Sequence, residues 1–382
     1  MKPEILFWFS LSFIVYTYLG YPLLLYFIAL LRPQNIRKIR SLEPPTISVV
    51  IAVKDEADRV IQRLTNLCTQ DYPLEKLEII VISDGSKDET EAKVRQFQGQ
   101  NCVPTPAVRL LVQPESMGKA MALNAGVNSA SGEIIIFTDC RQTFASDTIR
   151  ELAVNFSDNT VGCVSGELHF IESHASKIEV EMGAYWRYEK MIRRLESTTG
   201  SVVGATGAVY GIRRNLYTAI PQGTLLDDVY CPLQCYLRGG RVVFDGKAKA
   251  YDIVSDGVTT EWKRKVRTLA GNWQLFSLIK ELRNPLSFGL WWKFYSHKVA
   301  RLLVPFLLPV VFFTSEVSQD GFYSLMAGVQ VLFYFLVLVA AIFPSLRKQK
   351  VIGLSYFFFV LNLAAVIGWW RWFRGDLEKC WR

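Results

Sequence analysis

The chain has 382 residues, and its 43 Lys and Arg against 35 Asp and Glu give a formal net charge of +8. Charged residues make up 20% of the chain, below the roughly 25% of a typical soluble domain, and the mean hydropathy is +0.18. These figures exclude a disordered chain, a coiled coil and a small disulfide scaffold, and they argue against a purely soluble protein.

The first predicted element is an apolar segment from Ile5 to Leu31 without Asp, Glu, Lys or Arg. It exceeds the roughly 20 residues that cross a bilayer, and no small-residue cleavage site follows it, so we expect a retained membrane anchor. Pro22 predicts a kink or a tilt in this anchor. The bases that follow it predict a cytosolic location for the next region; they are Arg32, Arg37, Lys38 and Arg40.

From Pro44 to about Leu290, apolar strand-like runs alternate with helical patterns. The predicted strands are Thr46 to Val53, Glu78 to Ile82, Val108 to Val112 and Glu133 to Thr138. The predicted helices are the pattern from Val60 to Cys68, Lys87 to Gln96 and Lys119 to Ala130. Such alternation indicates an α/β domain with a mostly parallel sheet, and these sheets bind ligands beyond the carboxyl ends of their strands.

Polar residues follow three of these strands at that edge. They are Lys54, Asp55 and Glu56 after the first strand, Asp84, Gly85 and Ser86 after the second, and Asp139, Cys140 and Arg141 after the fourth. Each Asp by itself could cap a helix or shape a turn, as Asp84 before Gly85 suggests. Carboxylates that converge with cations at one edge instead suit a nucleotide diphosphate, whose ribose and base need acceptors and whose phosphates need positive charge.

Six segments in this order resemble family 2 of the glycosyltransferases, which are membrane-bound enzymes with a GT-A fold that use nucleotide sugars. The segments are VVIAVKDEA, VISDGSKDET, GKAMALNAGVNSASGEIIIFTD, TGAVYGIRR, LLDDVYCPLQCYLRGGRVVF and EWKRKVRTLAGNWQ. The resemblance implies three parts: an anchor and basic linker over residues 1–43, a GT-A catalytic domain over 44–285, and an interfacial helix with about three spans over 286–382.

The resemblance also implies which residues bind the donor. Asp55 or Glu56 and Asp84 would hold the uridine base and ribose, and Lys119 would lie near the nucleotide at the start of a helix. The alternative for Lys119 is a solvated charge on an amphipathic helix.

Asp139 matches the first Asp of the family's metal-binding Asp-x-Asp element, whereas Arg141 stands at the position of the second. Asp139 would then hold Mg2+ or Mn2+ together with diphosphate oxygens and waters. Alternatively, Arg141 contacts phosphate and partly replaces the charge of the metal. We expect metal dependence.

Asp228 matches the family's catalytic base, and Asp227 replaces the Glu that usually precedes it. An inverting transfer needs such a carboxylate to take the proton of the acceptor hydroxyl. The alternative is an acidic helix N-terminus, which is compatible with catalysis. Gly204, Thr206 and Gly207 resemble the loop beside the acceptor sugar, although a plain turn explains one Gly equally well.

Arg264 and Arg267 occupy the position of a gating segment that closes on the donor diphosphate. With Lys263 and Lys265 they could equally form a juxtamembrane basic cluster on lipid. The chain reads Arg267 to Trp273 where processive synthases carry Gln-x-x-Arg-Trp, so we expect one addition or a few. Tyr185 and Trp186 could stack on a sugar ring or lie on the membrane.

Three further stretches lack charged residues: Leu302 to Ser315, Gly321 to Leu346 and Val351 to Trp370. The first is short, so it spans only if its flanks are recruited, with Lys298 and Arg301 snorkelling to the headgroups. Arg347, Lys348 and Lys350 predict a cytosolic turn before the last span. The basic tail disagrees with this orientation, because its four bases would lie outside if every span crosses, and inside if the Leu302 to Ser315 stretch does not cross. These bases are Arg371, Arg374, Lys379 and Arg382.

The seven Cys and three His show no metal-ligand spacing, so we expect free thiols and no zinc site. The basic charge is mostly juxtamembrane, which suits anionic lipid or a phosphate ligand rather than nucleic acid.

The sequence therefore predicts an inverting hexosyltransferase of polysaccharide biosynthesis in the plasma membrane. Its cytosolic domain would move a sugar from a nucleotide donor, a UDP-sugar, to a lipid-linked or polysaccharide acceptor. One alternative is a processive synthase that exports its polymer. Another, motivated by Arg141, is a catalytically silent nucleotide-sugar-binding or scaffold subunit.

Overall fold

The structure of the chain is a computed structural model that describes residues 2–39, 43–100, 106–171, 179–253, 258–286, 289–318 and 320–377. Arg40, Cys102, His174, Lys379, Cys380 and Arg382 lie outside the described residues. The five described cysteines, Cys68, Cys140, Cys163, Cys231 and Cys235, are all free thiols.

Eight strands make up one sheet. They are β1 (Ile47–Val53), β2 (Leu77–Asp84), β3 (Ala107–Gln113), β4 (Ile134–Phe137), β5 (Thr143–Phe144), β6 (Val161–Ile171), β7 (Tyr210–Arg213) and β8 (Arg241–Ile253).

The α-helices, numbered in chain order, are α1 (Pro3–Val15), α2 (Tyr21–Leu31), α3 (Val60–Cys68), α4 (Thr90–Gln100), α5 (Lys119–Ser129), α6 (Thr148–Ala153), α7 (Glu179–Thr198), α8 (Asp227–Leu237), α9 (Val258–Leu278), α10 (Trp291–Phe294), α11 (Ala300–Val317), α12 (Gly321–Ile342) and α13 (Lys350–Phe373). The chain divides into two compact units. The sheet unit comprises residues 32–173 and 196–254, and the helical unit comprises 1–31, 174–195 and 255–382.

The sheet unit has the strand order β3-β2-β1-β4-β7-β6-β8-β5. Four of its seven strand pairings are parallel, as the sequence predicts, and the pairings of β7 and β5 are antiparallel. The chain runs from β1 to β2 and β3 on one side and returns to place β4 on the other side of β1. This reversal is a topological switch point, where open α/β sheets bind their ligands.

The central strand β1 is covered on both faces. Val49, Val50 and Ile51 point to alternate faces, and none of them is more than 1% exposed. Helix α5 packs against β1 and β2, where Gly126 permits the close approach: a Cβ there would lie 2.5 Å from Val50 Cγ1. The continuous apolar run of β1 therefore forms the centre of the core.

Helix α4 begins later than the sequence predicts. The prediction started it at Lys87, whereas the helix begins at Thr90. The Asp88 carboxylate accepts hydrogen bonds from the backbone N–H groups of Thr90 and Ala57, at 3.0 Å each. Because these bonds hold Asp88 in a turn, the helix starts after it.

Among its described residues, the helical unit contains four helices long and apolar enough to cross a membrane: Pro3–Leu31, Trp291–Val317, Gly321–Ile342 and Lys350–Phe373. The Pro3–Leu31 helix widens to a π-helical turn over Tyr16–Gly20, just before Pro22. Pro22 has no N–H for the carbonyl of Tyr18, and the Tyr188 hydroxyl donates to that carbonyl at 2.7 Å instead. The proline is thus accommodated within a continuous helix.

Arg301 does not have the environment that the sequence predicts. Rather than reaching for the headgroups, its guanidinium pairs with Glu189 of α7, and the two side chains are 15% and 8% exposed. His297 Nε2 lies 3.1 Å from the other oxygen of Glu189. A buried carboxylate on α7 therefore holds both bases inward.

Candidate active site

The carboxylate of Asp84, at the end of β2, fixes the loop that leads into α5. It accepts hydrogen bonds from the backbone N–H groups of Met117 at 2.7 Å and Gly118 at 3.1 Å, and from Ser116 Oγ at 2.9 Å. Asp84 thereby positions the residue that follows Gly118, which is Lys119. Asp84 therefore shapes the turn, as one of the two sequence interpretations proposed. The contact of Asp84 with uridine stays a prediction.

The loop after β1 is fastened to the loop after β2. Asp55 has a φ of +53°, and its carboxylate accepts a hydrogen bond from the backbone N–H of Lys87 at 2.7 Å. The backbone N–H of Glu56 donates to Thr90 Oγ1 at 2.8 Å, and the Glu56 carboxylate pairs with Arg59 at 3.0 Å. A left-handed conformation at a non-glycine residue is uncommon and indicates a tightly specified turn at this edge of the sheet.

Lys119 brings together carboxylates from two distant segments. Its Nζ lies 2.9 Å from Asp139 Oδ1 and 3.5 Å from Asp227 Oδ2. Burial lowers the pKa of Lys119, but the charges of Asp139, Asp227 and Asp228 outweigh it and raise the pKa above its usual value. The ammonium therefore remains charged and neutralises part of an acidic cluster.

Asp228 and the predicted acceptor loop are in direct contact. The N–H of Gly207 donates to Asp228 Oδ2 at 3.1 Å, and the N–H of Ala205 donates to the Asp228 carbonyl at 2.7 Å. A Cβ at position 207 would lie 3.1 Å from Asp228 Oδ2, so Gly207 leaves room for the carboxylate. Asp227 is 7% exposed, whereas Asp228 is half-buried.

Arg141 has a partner that the sequence analysis missed. Its Nη2 lies 3.1 Å from Asp252 Oδ2 on β8, and Gln142 Nε2 donates to the same oxygen at 2.9 Å. Asp252 is 5% exposed. The guanidinium at the second Asp-x-Asp position is therefore matched by a buried carboxylate on another strand.

A second cation, Arg63 of α3, also escaped the sequence analysis. Arg63 is 2% exposed, and its Nη2 donates at 2.7 Å to Oγ1 of Thr138, the residue before Asp139. Its guanidinium lies 4.2 Å from the centre of the Phe144 ring. Burial lowers the pKa of Arg63 to about 9, although the nearby Cys140 and Asp139 oppose this shift. Through this hydrogen bond to Thr138, Arg63 holds the start of the Asp139 loop in place.

The donor set fits a divalent cation only in part. Within the described ranges, no group of three or more His, Cys, Asp or Glu side chains is arranged to hold a metal ion. Asp139 is the one acidic residue of the Asp-x-Asp position, and Lys119 is its close partner. Because Mg2+ and Mn2+ prefer several oxygen ligands, a cation here needs further oxygens from a diphosphate and from water.

The structure therefore gathers most of the predicted site residues of the sheet unit. Asp84 binds the backbone next to Lys119, Lys119 bridges Asp139 and Asp227, and Asp228 contacts Gly207. Arg264 and Arg267 belong to α9 of the helical unit, and their contact with a diphosphate stays a prediction.

A family model described as glycosyl transferase family 2 matches residues 48–220, which include the carboxyl ends of β1, β2 and β4. A poly-beta-1,6-N-acetyl-D-glucosamine synthase of Staphylococcus aureus is 25% identical over 249 residues, covering 63% of this chain and 59% of the relative. An N-acetylglucosaminyltransferase of Rhizobium meliloti is 28% identical over 182 residues, covering 46% of this chain and 41% of the relative. The chain thus spans about three fifths of the length of the first relative and about two fifths of the length of the second.

A solved structure of a mannosyltransferase from Pyrobaculum calidifontis, in complex with GDP-Man and Mn2+, matches with a TM-score of 0.71 and 21% identity. The match covers 94% of this chain and 99% of that one. At this identity the likeness shows the fold alone, and it confirms the predicted GT-A fold.

Proposed function

The chain carries a glycosyl transferase family 2 domain, and from it we propose that this membrane protein is an inverting glycosyltransferase. It moves a sugar from a nucleotide donor, a UDP-sugar, to a lipid-linked or polysaccharide acceptor. The names of the two relatives support UDP-N-acetylglucosamine as the first donor to test. Four apolar helices and the charges between them support a membrane enzyme with a cytosolic sheet unit.

The observation that carries this proposal is the bridge from Lys119 to Asp139 and Asp227, with Asp228 as the next residue in the chain. These residues come from the N-terminus of α5, the end of β4 and the N-terminus of α8. Such a cluster places both positive and negative charge at the switch point of the sheet, where a nucleotide binds in this class of fold.

In the proposed reaction, Asp228 takes the proton of the acceptor hydroxyl while its oxygen attacks the anomeric carbon of the donor. The bond between that carbon and the diphosphate oxygen breaks, and the nucleoside diphosphate leaves with the electron pair. Asp228 suits the base because it is more exposed than Asp227, which pairs with Lys119. The N–H of Gly207 orients the Asp228 carboxylate toward the acceptor loop.

The growing charge on the leaving diphosphate needs cations. A divalent ion, Mg2+ or Mn2+, would supply part of this charge, and Asp139 would be the residue that holds it. Lys119 would lie beside the diphosphate, and the roles of Arg264 and Arg267 stay a prediction. These contacts stabilise charge that appears only in the transition state.

The test compares the two neighbouring aspartates of α8. Asp228→Asn removes the base without changing the size of the side chain, so we expect release of UDP from a donor to fall at least about 1,000-fold while UDP still binds. Asp227→Asn is the matched control: it removes a charge beside Lys119 but not the base, so turnover stays measurable. Turnover of Asp228→Asn at the rate of the unmodified protein excludes Asp228 as the base.

The same assay tests the donor and the metal. Purified protein in proteoliposomes is given a panel of UDP-sugars and GDP-mannose with Mn2+, with Mg2+ or with a chelator, and released nucleotide is measured. We expect one UDP-sugar to be turned over and the chelator to abolish turnover. Absence of both turnover and nucleotide binding with every donor would favour the catalytically silent subunit.

A processive polysaccharide synthase is the second candidate, and the name of the Staphylococcus aureus relative, a poly-beta-1,6-N-acetyl-D-glucosamine synthase, favours it. The two reactions share the catalytic residues but differ in product length. Radiolabelled donor and size separation of the product distinguish them, because a single transfer gives one short product and a processive enzyme gives a long polymer.

A further inference from the structure

A cavity of about 290 Å3 lies within the helical unit. Its apolar wall is formed by leucine, phenylalanine and alanine side chains, among them Phe357 and Leu361 of α13. Its polar groups are those of Tyr18, Tyr185, Tyr188, Arg301 and Asn362. The cavity is close to the smallest size of a ligand pocket, and its lining is apolar apart from these few groups.

Arg301 is the charged group of this cavity, and only part of its hydrogen-bonding capacity is used. Its Nη1 pairs with Glu189, but within the described ranges no acceptor reaches the buried Nε and Nη2 atoms. The Tyr188 ring lies 5.4 Å from the guanidinium carbon. Leaving guanidinium N–H groups buried and unpaired costs free energy, so an acceptor from outside the described chain is expected there.

Asn362 gives a second, independent indication of a ligand. It is 7% exposed, and its Nδ2 donates to the carbonyl of Phe358 at 2.8 Å. Its Oδ1 is buried, and no donor among the described residues reaches it. A cavity with unfilled guanidinium N–H groups and an unfilled amide oxygen is prepared for a molecule whose polar head has oxygens that accept from Arg301 and a hydroxyl that donates to Asn362.

The chemistry of the walls identifies the remainder of that molecule. Phe357 lies 5.4 Å from the Tyr185 ring and Phe358 lies 5.5 Å from the Tyr18 ring, so the aromatic wall is continuous with the polar groups. A sugar chain needs hydrogen-bond partners along its whole length, whereas this wall offers apolar contacts. An acyl or isoprenoid chain matches it.

We propose that this cavity binds a lipid with a phosphate headgroup, whose oxygens accept hydrogen bonds from Arg301 and whose chain lies along Phe357, Phe358 and Leu361. Ionisable residues inside a membrane unit are costly and mark functional sites. Guanidinium and phosphate form paired, charge-assisted hydrogen bonds that offset this cost. Lipid binding can be tested separately from the proposed transfer, because binding requires neither donor nor catalysis.

The test measures lipid binding to the full chain in detergent by native mass spectrometry. The probes are phosphatidylglycerol, an isoprenyl phosphate, the uncharged diacylglycerol and inorganic phosphate. We expect the two lipid phosphates to bind at least about tenfold more tightly than diacylglycerol or free phosphate. A preference for phosphatidylglycerol indicates a bilayer lipid, and a preference for isoprenyl phosphate indicates an acceptor lipid; both support the proposal.

Variants locate the binding to this cavity. Ala365→Phe fills the cavity without touching the pair of Arg301 and Glu189, and we expect it to weaken lipid phosphate binding at least about tenfold. The matched control is Val366→Phe, in a neighbouring cavity of about 200 Å3 whose described lining contains no charged side chain. We expect it to bind within about twofold of the unmodified protein.

The double variant Glu189→Gln with Arg301→Gln removes the charge while keeping the pair neutral, so it avoids leaving a buried carboxylate alone. We expect it to lose the preference for phosphate over diacylglycerol. Unchanged lipid phosphate binding in Ala365→Phe, equal binding of diacylglycerol, or occupation of the cavity by an oligosaccharide would overturn the proposal. Release of UDP from a donor, measured in the same preparations, separates a failure of this site from a failure of the proposed transfer.

Discussion

At the scale of single residues, the charge of Lys119 decides how the acidic cluster can meet a diphosphate. The carboxylates of Asp139 and Asp227 share this ammonium, and their charges raise its pKa. Because the pKa in the folded protein exceeds the usual value of about 10.4, the contribution of Lys119 to stability is fully present below that pH and is lost only as pH rises through the folded pKa. Lys119 is therefore charged throughout the neutral range.

Replacing Lys119 by Met should weaken UDP binding at least about tenfold at neutral pH, because two carboxylates would then face the diphosphate without a shared cation. Lys119→Arg keeps the charge and should retain part of the affinity. Isothermal titration with UDP measures the effect. Lys87→Met, which changes an exposed side chain after β2, is the control and should bind as the unmodified protein does. Full affinity in Lys119→Met would place the nucleotide elsewhere.

The pair of Arg141 and Asp252 should behave as one energetic unit. Arg141→Met leaves the buried Asp252 carboxylate with only the Gln142 amide, which should lower the free energy of unfolding by about 1 to 3 kcal/mol. Adding Asp252→Asn should restore part of this loss, with a coupling energy of about 0.5 to 3 kcal/mol. Thermal unfolding of the two single variants and the double variant measures it. Simple additivity would show that the pair does not stabilise the fold.

The residues of the site show what the sequence can and cannot predict. The strand ends predicted that Asp84, Asp139 and their neighbours would share one edge, because parallel strands align their carboxyl ends. The partner of Arg141 was not predictable, because Asp252 comes from a strand more than a hundred residues later, and no local pattern marks it. The sequence analysis did not single out Arg63, and only the packing of α3 shows that it is buried.

At the scale of elements, the first four strands followed from their apolar runs, whereas β5 to β8 were not predicted as strands. The two-residue β5 and four-residue β7 are too short to show a pattern, and β7 enters the sheet antiparallel. Long β6 and β8 carry polar residues such as Glu167 and Asp252, which are buried and paired. Periodicity alone cannot anticipate such pairing.

The contact of α5 with the sheet gives a prediction about one glycine. Gly126→Ala would place a Cβ 2.5 Å from Val50 Cγ1 and 2.7 Å from Ile82 Cδ1. Val50 is β-branched and cannot move easily, so we expect the free energy of unfolding to fall by about 1 to 3 kcal/mol. Gly99→Ala in α4 is the matched control, because nothing lies within 4 Å of its Cβ, and it should be neutral or slightly stabilising. Equal melting temperatures for both variants would contradict this packing.

At the scale of the whole molecule, the long apolar helices were the most predictable feature, with one informative exception. The second span begins at Trp291, well before the apolar stretch that the sequence marks at Leu302. Lys293 and His297 in the recruited segment are 7% and 2% exposed, so they are buried within the chain. A hydropathy pattern treats such residues as an interruption, because it cannot show that Glu189 pairs with His297 and Arg301.

The charges of the turns predict the orientation of these helices in a membrane. If all four helices cross, the turn at Asp320 and the tail lie outside, and both Lys348 and the sheet unit lie inside. Arg347 caps the Ala340 carbonyl at 2.8 Å and stacks over the Tyr356 ring at 4.0 Å, so the turn between α12 and α13 holds its basic charge in place. Basic turns of this kind remain in the cytosol.

Single cysteines at Lys247, Asp320, Lys348 and Arg374 test this orientation with a membrane-impermeant maleimide, and the unmodified chain gives the background labelling. In intact cells we expect Asp320→Cys and Arg374→Cys to be labelled, whereas Lys247→Cys and Lys348→Cys should react only after permeabilisation. Labelling of Asp320→Cys without Arg374→Cys would mean that the last helix does not cross, and the bases of the tail would then obey the same charge rule as the other turns. Labelling of Lys247→Cys in intact cells would place the sheet unit outside, away from any cytosolic nucleotide sugar, and the proposed reaction would lose its donor.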